Sequence, residues 1–195
     1  MVFDHFTVLI TGANRGLGYG LALRYLLQPN TTVIAAVRNP ETAEKIFRDV
    51  PTAPGTALVI ISTDCTSSEV TDAGIHDLLR AGCRRLDLVI ANAGQAPSVW
   101  APCTEMDLSE VEQMIKANGL GPLLLFRAAF SMMLRSAEPR FVYISSLAAS
   151  FSAMEGEQVV FGAGGLGVGK AVGNFLTRKL AFENKHILSF MIDPG

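Results

Sequence analysis

Short, almost wholly apolar runs alternate along this chain with longer stretches whose apolar residues recur at helical spacing. Phe6–Thr11 is the first such run and reads as a buried strand. A helix is predicted over 16–27, stopping before Pro29, which cannot continue it. Residues 32–37 make a second strand. Asn39-Pro40 then opens a helix, with Asn as the cap and Pro at the first helical position. A third strand over 56–62 precedes a helix through Leu79, and a fourth strand occupies 86–91. Asp107-Leu108-Ser109-Glu110 has the spacing of a capping box, so a helix starts there. Pro122, with Gly119 and Gly121 just before it, predicts a kink or break near Asn118, after which an apolar helix continues to about Arg135. The fifth strand falls at 140–145 and a glycine-rich helix is centred on residues 170–183. The sixth strand falls at 187–192, just before Pro194-Gly195.

Nearly all-apolar strands alternating with helices indicate an α/β chain: a Rossmann-type, doubly wound parallel sheet of about six strands, with helices on both faces. One domain over residues 1–195 is expected. The helix over 123–134 is apolar around its whole circumference and must be covered on both sides. One side is assigned to the sheet and the other to a second subunit, which makes the chain a homo-oligomer. Burial within a single chain is the alternative.

In such sheets ligands sit beyond the C-terminal ends of the strands. The polar residues Arg38, Asp64, Asn92 and Ser146 fall at those ends. At the first strand–helix junction stands Thr11-Gly12-Ala13-Asn14-Arg15-Gly16-Leu17-Gly18. A glycine turn leading into a helix N-terminus offers unpaired N–H groups and positive potential to a diphosphate. Composition narrows the partners to small molecules. A net charge of −2 argues against a general nucleic-acid binder. The longest uncharged runs, residues 141–154 among them, are shorter than the ~18 residues a membrane span needs. No secretory leader is visible and the three cysteines form neither a metal nor a disulfide pattern, so a cytoplasmic protein without a metal site is expected.

Four elements together resemble the short-chain dehydrogenase/reductase family over essentially the whole length. They are the Thr11–Gly18 loop, Asn92-Ala93-Gly94, Ile144-Ser145-Ser146, and Lys170 with Pro194-Gly195 after the last strand. Gly173-Asn174-Phe175-Leu176-Thr177-Arg178-Lys179-Leu180 and Phe182-Glu183-Asn184 resemble, more narrowly, fungal ketoreductases of the norsolorinic acid type. The resemblance implies hydride transfer between a nicotinamide and a carbonyl or alcohol. It implies catalytic roles for Ser146, Lys170 and Asn118. It implies cofactor contacts from Gly12, Asn14, Arg15, Gly16, Leu17, Gly18, Asp64, Asn92, Ala93, Gly94, Lys170, Pro194 and Gly195. NADP rather than NAD is expected, because Arg38 replaces the ribose-binding carboxylate and, with Arg15, suits a 2′-phosphate.

The chain departs from the family at a central place. The family's catalytic tyrosine stands four residues before the lysine, and here that position is Leu166. No tyrosine follows Tyr143, and strand alternation points Tyr143 and Ser146 to opposite faces. Gly162, Gly164, Gly165, Gly167, Gly169 and Gly173 crowd the start of the Lys170 helix, which predicts a frayed turn. Such a turn reads either as a rim that opens for a bulky ligand or as decay of an unused site. The family's C-terminal lid and seventh strand have no counterpart in the sequence, so the sixth strand is expected to be an uncovered edge. The leading expectation is an NADP-dependent oxidoreductase acting on a polyketide-type ketone in secondary metabolism. A catalytically impaired nucleotide-binding homologue and a non-redox cyclase or isomerase stay open beside it.

Overall fold

A computed structural model describes residues 5–155 and 161–195. Six strands, β1 (Phe6–Thr11), β2 (Thr31–Val37), β3 (Ala57–Ser62), β4 (Leu88–Ala91), β5 (Arg140–Ile144) and β6 (Leu188–Ile192), form one sheet in the order β3-β2-β1-β4-β5-β6. Every pairing is parallel. The order reverses between β1 and β4, which opens a crevice beyond their C-terminal ends.

Helices α1 (Gly16–Leu26) and α2 (Pro40–Phe47) cover one face, packing Ala22, Leu26, Ala43 and Phe47 on Val8, Ile10 and Val33. On the other face lie α3 (Ser68–Arg80), α5 (Gly121–Met133) and α7 (Gly164–Glu183), packed on Leu9, Ile34, Val89 and Phe141. The remaining helices are α4 (Leu108–Met114) and the short α6 (Phe151–Glu155). Asn39 caps α2 through its side chain, as its sequence position predicts. At α4 the capping box opens only halfway. Asp107 accepts from Ser109 N at 2.8 Å, but Glu110 turns away to bind Ser98.

The predicted break near Asn118 is a π-helical turn over Ile115–Leu120 that joins α4 to α5. Most of α5 finds cover within the chain: Leu125, Phe126, Ala129, Met132 and Met133 are buried, and Leu134 just past its end is exposed. Leu123, Leu124, Ala128 and Phe130 are only half-buried, on the side turned from the sheet that was assigned to a second subunit. The expected fraying before Lys170 does not occur. α7 is continuous from Gly164, and its glycines are contact points: a Cβ at Gly169 would lie 2.7 Å from the Met114 carbonyl oxygen, and one at Gly167 would lie 2.5 Å from that of Ala148. β6 ends the sheet with Leu188, Phe190 and Ile192 exposed on one face.

Candidate nucleotide and active site

β1 delivers Thr11 to the crevice, and the chain then turns through Gly12 (φ +66°) and Gly16 (φ +54°), conformations that a Cβ would strain. α1 begins at once. Its N-cap residue, Arg15, makes no side-chain cap bond, and no acidic residue stands in its first turn. Those amides and the helix dipole therefore face the crevice as an anion-binding end. Gly18 allows the helix to sit against the turn, since a Cβ there would collide with Gly12 O and Asn92 Nδ2.

Asn92 and Thr11 staple the two central strands. Thr11 Oγ1 accepts from the N–H groups of Asn92 and Ala93, each at 3.0 Å, and Asn92 Nδ2 donates to Thr11 O at 2.9 Å. A cavity of about 850 Å³ opens above this staple. Gly12, Asn14, Arg15 and Gly16 line it from the first turn, Arg38 from the end of β2, Asp64 from beyond β3, and Asn92, Ala93 and Gly94 from beyond β4. Hydrogen bonds from the Thr66 backbone and hydroxyl, with Arg38 adding to them, hold the Asp64 carboxyl below its ordinary range. Leu17, Gly18, Asn118, Ser146, Lys170, Pro194 and Gly195 do not line this cavity. Leu17 is exposed on the first turn of α1, and Pro194 and Gly195 lie exposed past β6.

Behind Gly94 a second group assembles. Lys170 is 7% exposed, and its Nζ donates to Ile144 O at 2.6 Å. The same ammonium stands 5.0 Å over the Tyr143 ring, and a Cβ on Gly94 would lie 3.6 Å from it. Lys170 thus sits directly behind the cavity wall. Among the described residues no carboxylate is within ion-pair distance of it. Burial pushes its pKa down to about 8. Asn118 is fully buried, and its side chain clamps the loop after β4: Oδ1 accepts from Gln95 N at 2.7 Å and Nδ2 donates to Gln95 O at 2.8 Å. Ser146 Oγ accepts from Ala148 N at 3.2 Å, which leaves its O–H to be donated outward. Ser145 ties the end of β5 to α7 through Asn174, at 2.6 Å.

The sequence model described as short chain dehydrogenase matches residues 6–194. The chain belongs to the short-chain dehydrogenase family. A norsolorinic acid ketoreductase of Dothistroma septosporum is 36% identical over 192 residues, covering 97% of this chain and 71% of that protein. The norsolorinic acid ketoreductase of Aspergillus parasiticus is 33% identical over 189 residues, covering 96% and 69%. Among solved structures, an NADPH-bound carbonyl reductase from chicken fatty liver superposes with a TM-score of 0.84 at 28% identity, covering 97% of this chain and 75% of its own.

In this short-chain dehydrogenase, Leu166 stands one helical turn before Lys170 on α7 and is half-buried. Tyr143 does not replace the missing phenol, because it is fully buried and its O–H is donated to Asn118 O at 2.8 Å. It nevertheless lies on the Lys170 side of the sheet, beneath the ammonium. Sequence reasoning read Thr11 only as part of the glycine loop, and weighed Tyr143 only as a stand-in phenol. Thr11 had a signal, as a hydroxyl at the last position of a strand that enters the crevice. Tyr143 had none locally, since its contacts come from α7 and the π-turn.

Proposed function

We propose that the chain is an NADP-dependent oxidoreductase, acting in the cytoplasm on a carbonyl or alcohol, with a polyketide-type ketone as substrate. One observation carries the cofactor reading: Arg15 and Arg38 both line the cavity onto which the uncapped N-terminus of α1 opens. Two guanidinium groups beside a free helix end suit a diphosphate with a further phosphate on the ribose. The glycine turn fits the same group, since Gly12 would crowd Ala93 with any side chain. When bound, NADPH would supply a hydride to a ketone carbon. Ser146 would donate its hydroxyl hydrogen bond to the ketone oxygen. Lys170 would hold the nicotinamide-side ribose and stabilise negative charge that develops on the substrate oxygen. Asn118 fixes the loop after β4. With Leu166 in place of a phenol, a water held by Ser146, Lys170 and Asn118 delivers the proton. Exposed Trp100, Phe151 and Phe161 around α6 and the start of α7 give the substrate side an apolar rim, in keeping with a large aromatic ketone. The same reading treats residues 1–195 as one dinucleotide-binding unit. It also treats the chain as a homo-oligomer that pairs across α5 and the exposed Phe175 and Phe182 of α7, a state read by sedimentation.

The test is direct. NADPH fluorescence changes on titration with the protein, and NADH is bound more weakly. Leu166→Tyr then raises the rate of ketone reduction by roughly 10²-fold or more, the usual contribution of a positioned general acid. Binding without any gain in Leu166→Tyr points to the impaired homologue, a reading that Leu166 itself favours. Absence of NADPH binding removes the proposal.

A further inference from the structure

The Lys170 group contains one residue with no role so far. Pro122, in the first turn of α5, has no N–H to donate back into the π-turn that carries Asn118. The Tyr143 hydroxyl donates to the Asn118 carbonyl there at 2.8 Å. The tyrosine reaches there only because α7 carries no side chain at Gly173: a Cβ at that position would lie 2.5 Å from both Cζ and the hydroxyl oxygen of Tyr143, and 2.7 Å from Asn118 O. One turn earlier on α7, Lys170 sets its ammonium 5.0 Å above the face of the same ring. The negative face of an aromatic ring attracts a cation, most strongly where water is excluded. Tyr143 is fully buried and Lys170 nearly so.

We infer that Tyr143 is a positioning residue of this site: its hydroxyl pins the π-turn that carries Asn118, and its ring seats the Lys170 ammonium. Pro122, Tyr143 and Gly173 form the complementary set that makes this possible. The inference rests on the reading of Lys170 and Asn118 as site residues, but the geometry can be tested without nucleotide or substrate. The titratable groups that bear on Lys170 among the described residues are Tyr143 beneath it and the Cys65 thiol.

The experiment follows the Lys170 ζ-nitrogen by NMR in [15N]lysine-labelled protein through a pH titration, with the resonance assigned by its absence in Lys170→Arg. Tyr143→Met fills the space but removes the ring, and the Lys170 midpoint falls by about half a unit to one unit. Tyr143→Phe keeps the ring and the midpoint, while amide hydrogen exchange across residues 115–120 speeds up by roughly 3- to 10-fold because Asn118 O has lost its donor. Phe141→Leu is the control. Phe141 is buried on the same strand and packs on Phe126, so this variant loses stability with the midpoint in place. A Tyr143→Met midpoint equal to that of the unaltered protein, or a Phe141→Leu midpoint displaced as far, overturns the inference. Failure of the unaltered protein to bind NADPH would remove the proposed function and leave this result standing.

Discussion

A buried ammonium with no carboxylate beside it among the described residues sets the energetics of Lys170. Its folded-state pKa is pushed down to about 8 by desolvation, against 10.5 in the unfolded chain. Below about pH 8 both states carry the charge, and the folded state bears the cost of burying it. Between about pH 8 and 10.5 the unfolded chain holds more protons, so stability rises with pH through that window. The rise is worth roughly 3 kcal/mol. Lys170→Met lacks it, so urea unfolding from pH 7 to about pH 10.5 separates the two proteins by that amount. Parallel profiles for the two proteins would mean that Lys170 is solvated in the folded state. Ser146, Lys170 and Leu166 could be named in the sequence through the family resemblance, which needs only their order and spacing along the chain. Tyr143 could not. The alternation rule set it apart from Ser146, but nothing in the sequence says that α7 passes closely enough to lay Lys170 over its ring.

At the scale of elements, the glycine run of α7 reverses an ordinary rule. Alanine usually favours a helix over glycine by about 0.8–1.0 kcal/mol. Gly20, on α1, has nothing within 4 Å of its Cβ direction, so Gly20→Ala stabilises the protein by about that much. Gly169→Ala has the opposite sign, because its Cβ would stand 2.7 Å from the Met114 carbonyl oxygen and force α7 away from the π-turn. A loss of about 1–3 kcal/mol is expected, the usual cost of overpacking, measured side by side in denaturant. Equal gains in both variants would restore the frayed-turn reading. That reading failed for an identifiable reason. Propensity is local, whereas the need for glycine here comes from backbone belonging to α4 and β5's following loop. The strands fared better, since an apolar run buried on both faces announces itself. Their bounds moved by one or two residues, as at β4, which starts at Leu88 where the sequence suggested 86. Pro122 likewise placed the break, but nothing local in the sequence said that it would be a π-turn.

For the molecule as a whole, the cavity joins the two halves of the sheet. Gly12, Arg38 and Asp64 come from the β1–β2–β3 half, while Asn92, Ala93 and Gly94 follow β4. A dinucleotide held there touches both halves and binds only the folded state, so it raises the stability of the whole unit rather than of one loop. At a ligand concentration 100 times Kd the gain is about 2.7 kcal/mol. For a chain of 195 residues each kcal/mol moves Tm by about 2–4 °C, so saturating NADPH shifts Tm upward by roughly 5–10 °C. Arg38→Asp separates the contribution of the 2′-phosphate from that of the diphosphate. The variant keeps the α1 N-terminus and the glycine turn, so it still binds a dinucleotide. It places a carboxylate where a ribose hydroxyl can donate to it and a phosphate is repelled. In scanning calorimetry the NADPH shift of Arg38→Asp therefore collapses while the NADH shift grows. If Arg38→Asp responds to the two nucleotides as the unaltered protein does, Arg38 points into solvent when the site is filled and the proposed selection of NADP by Arg38 falls.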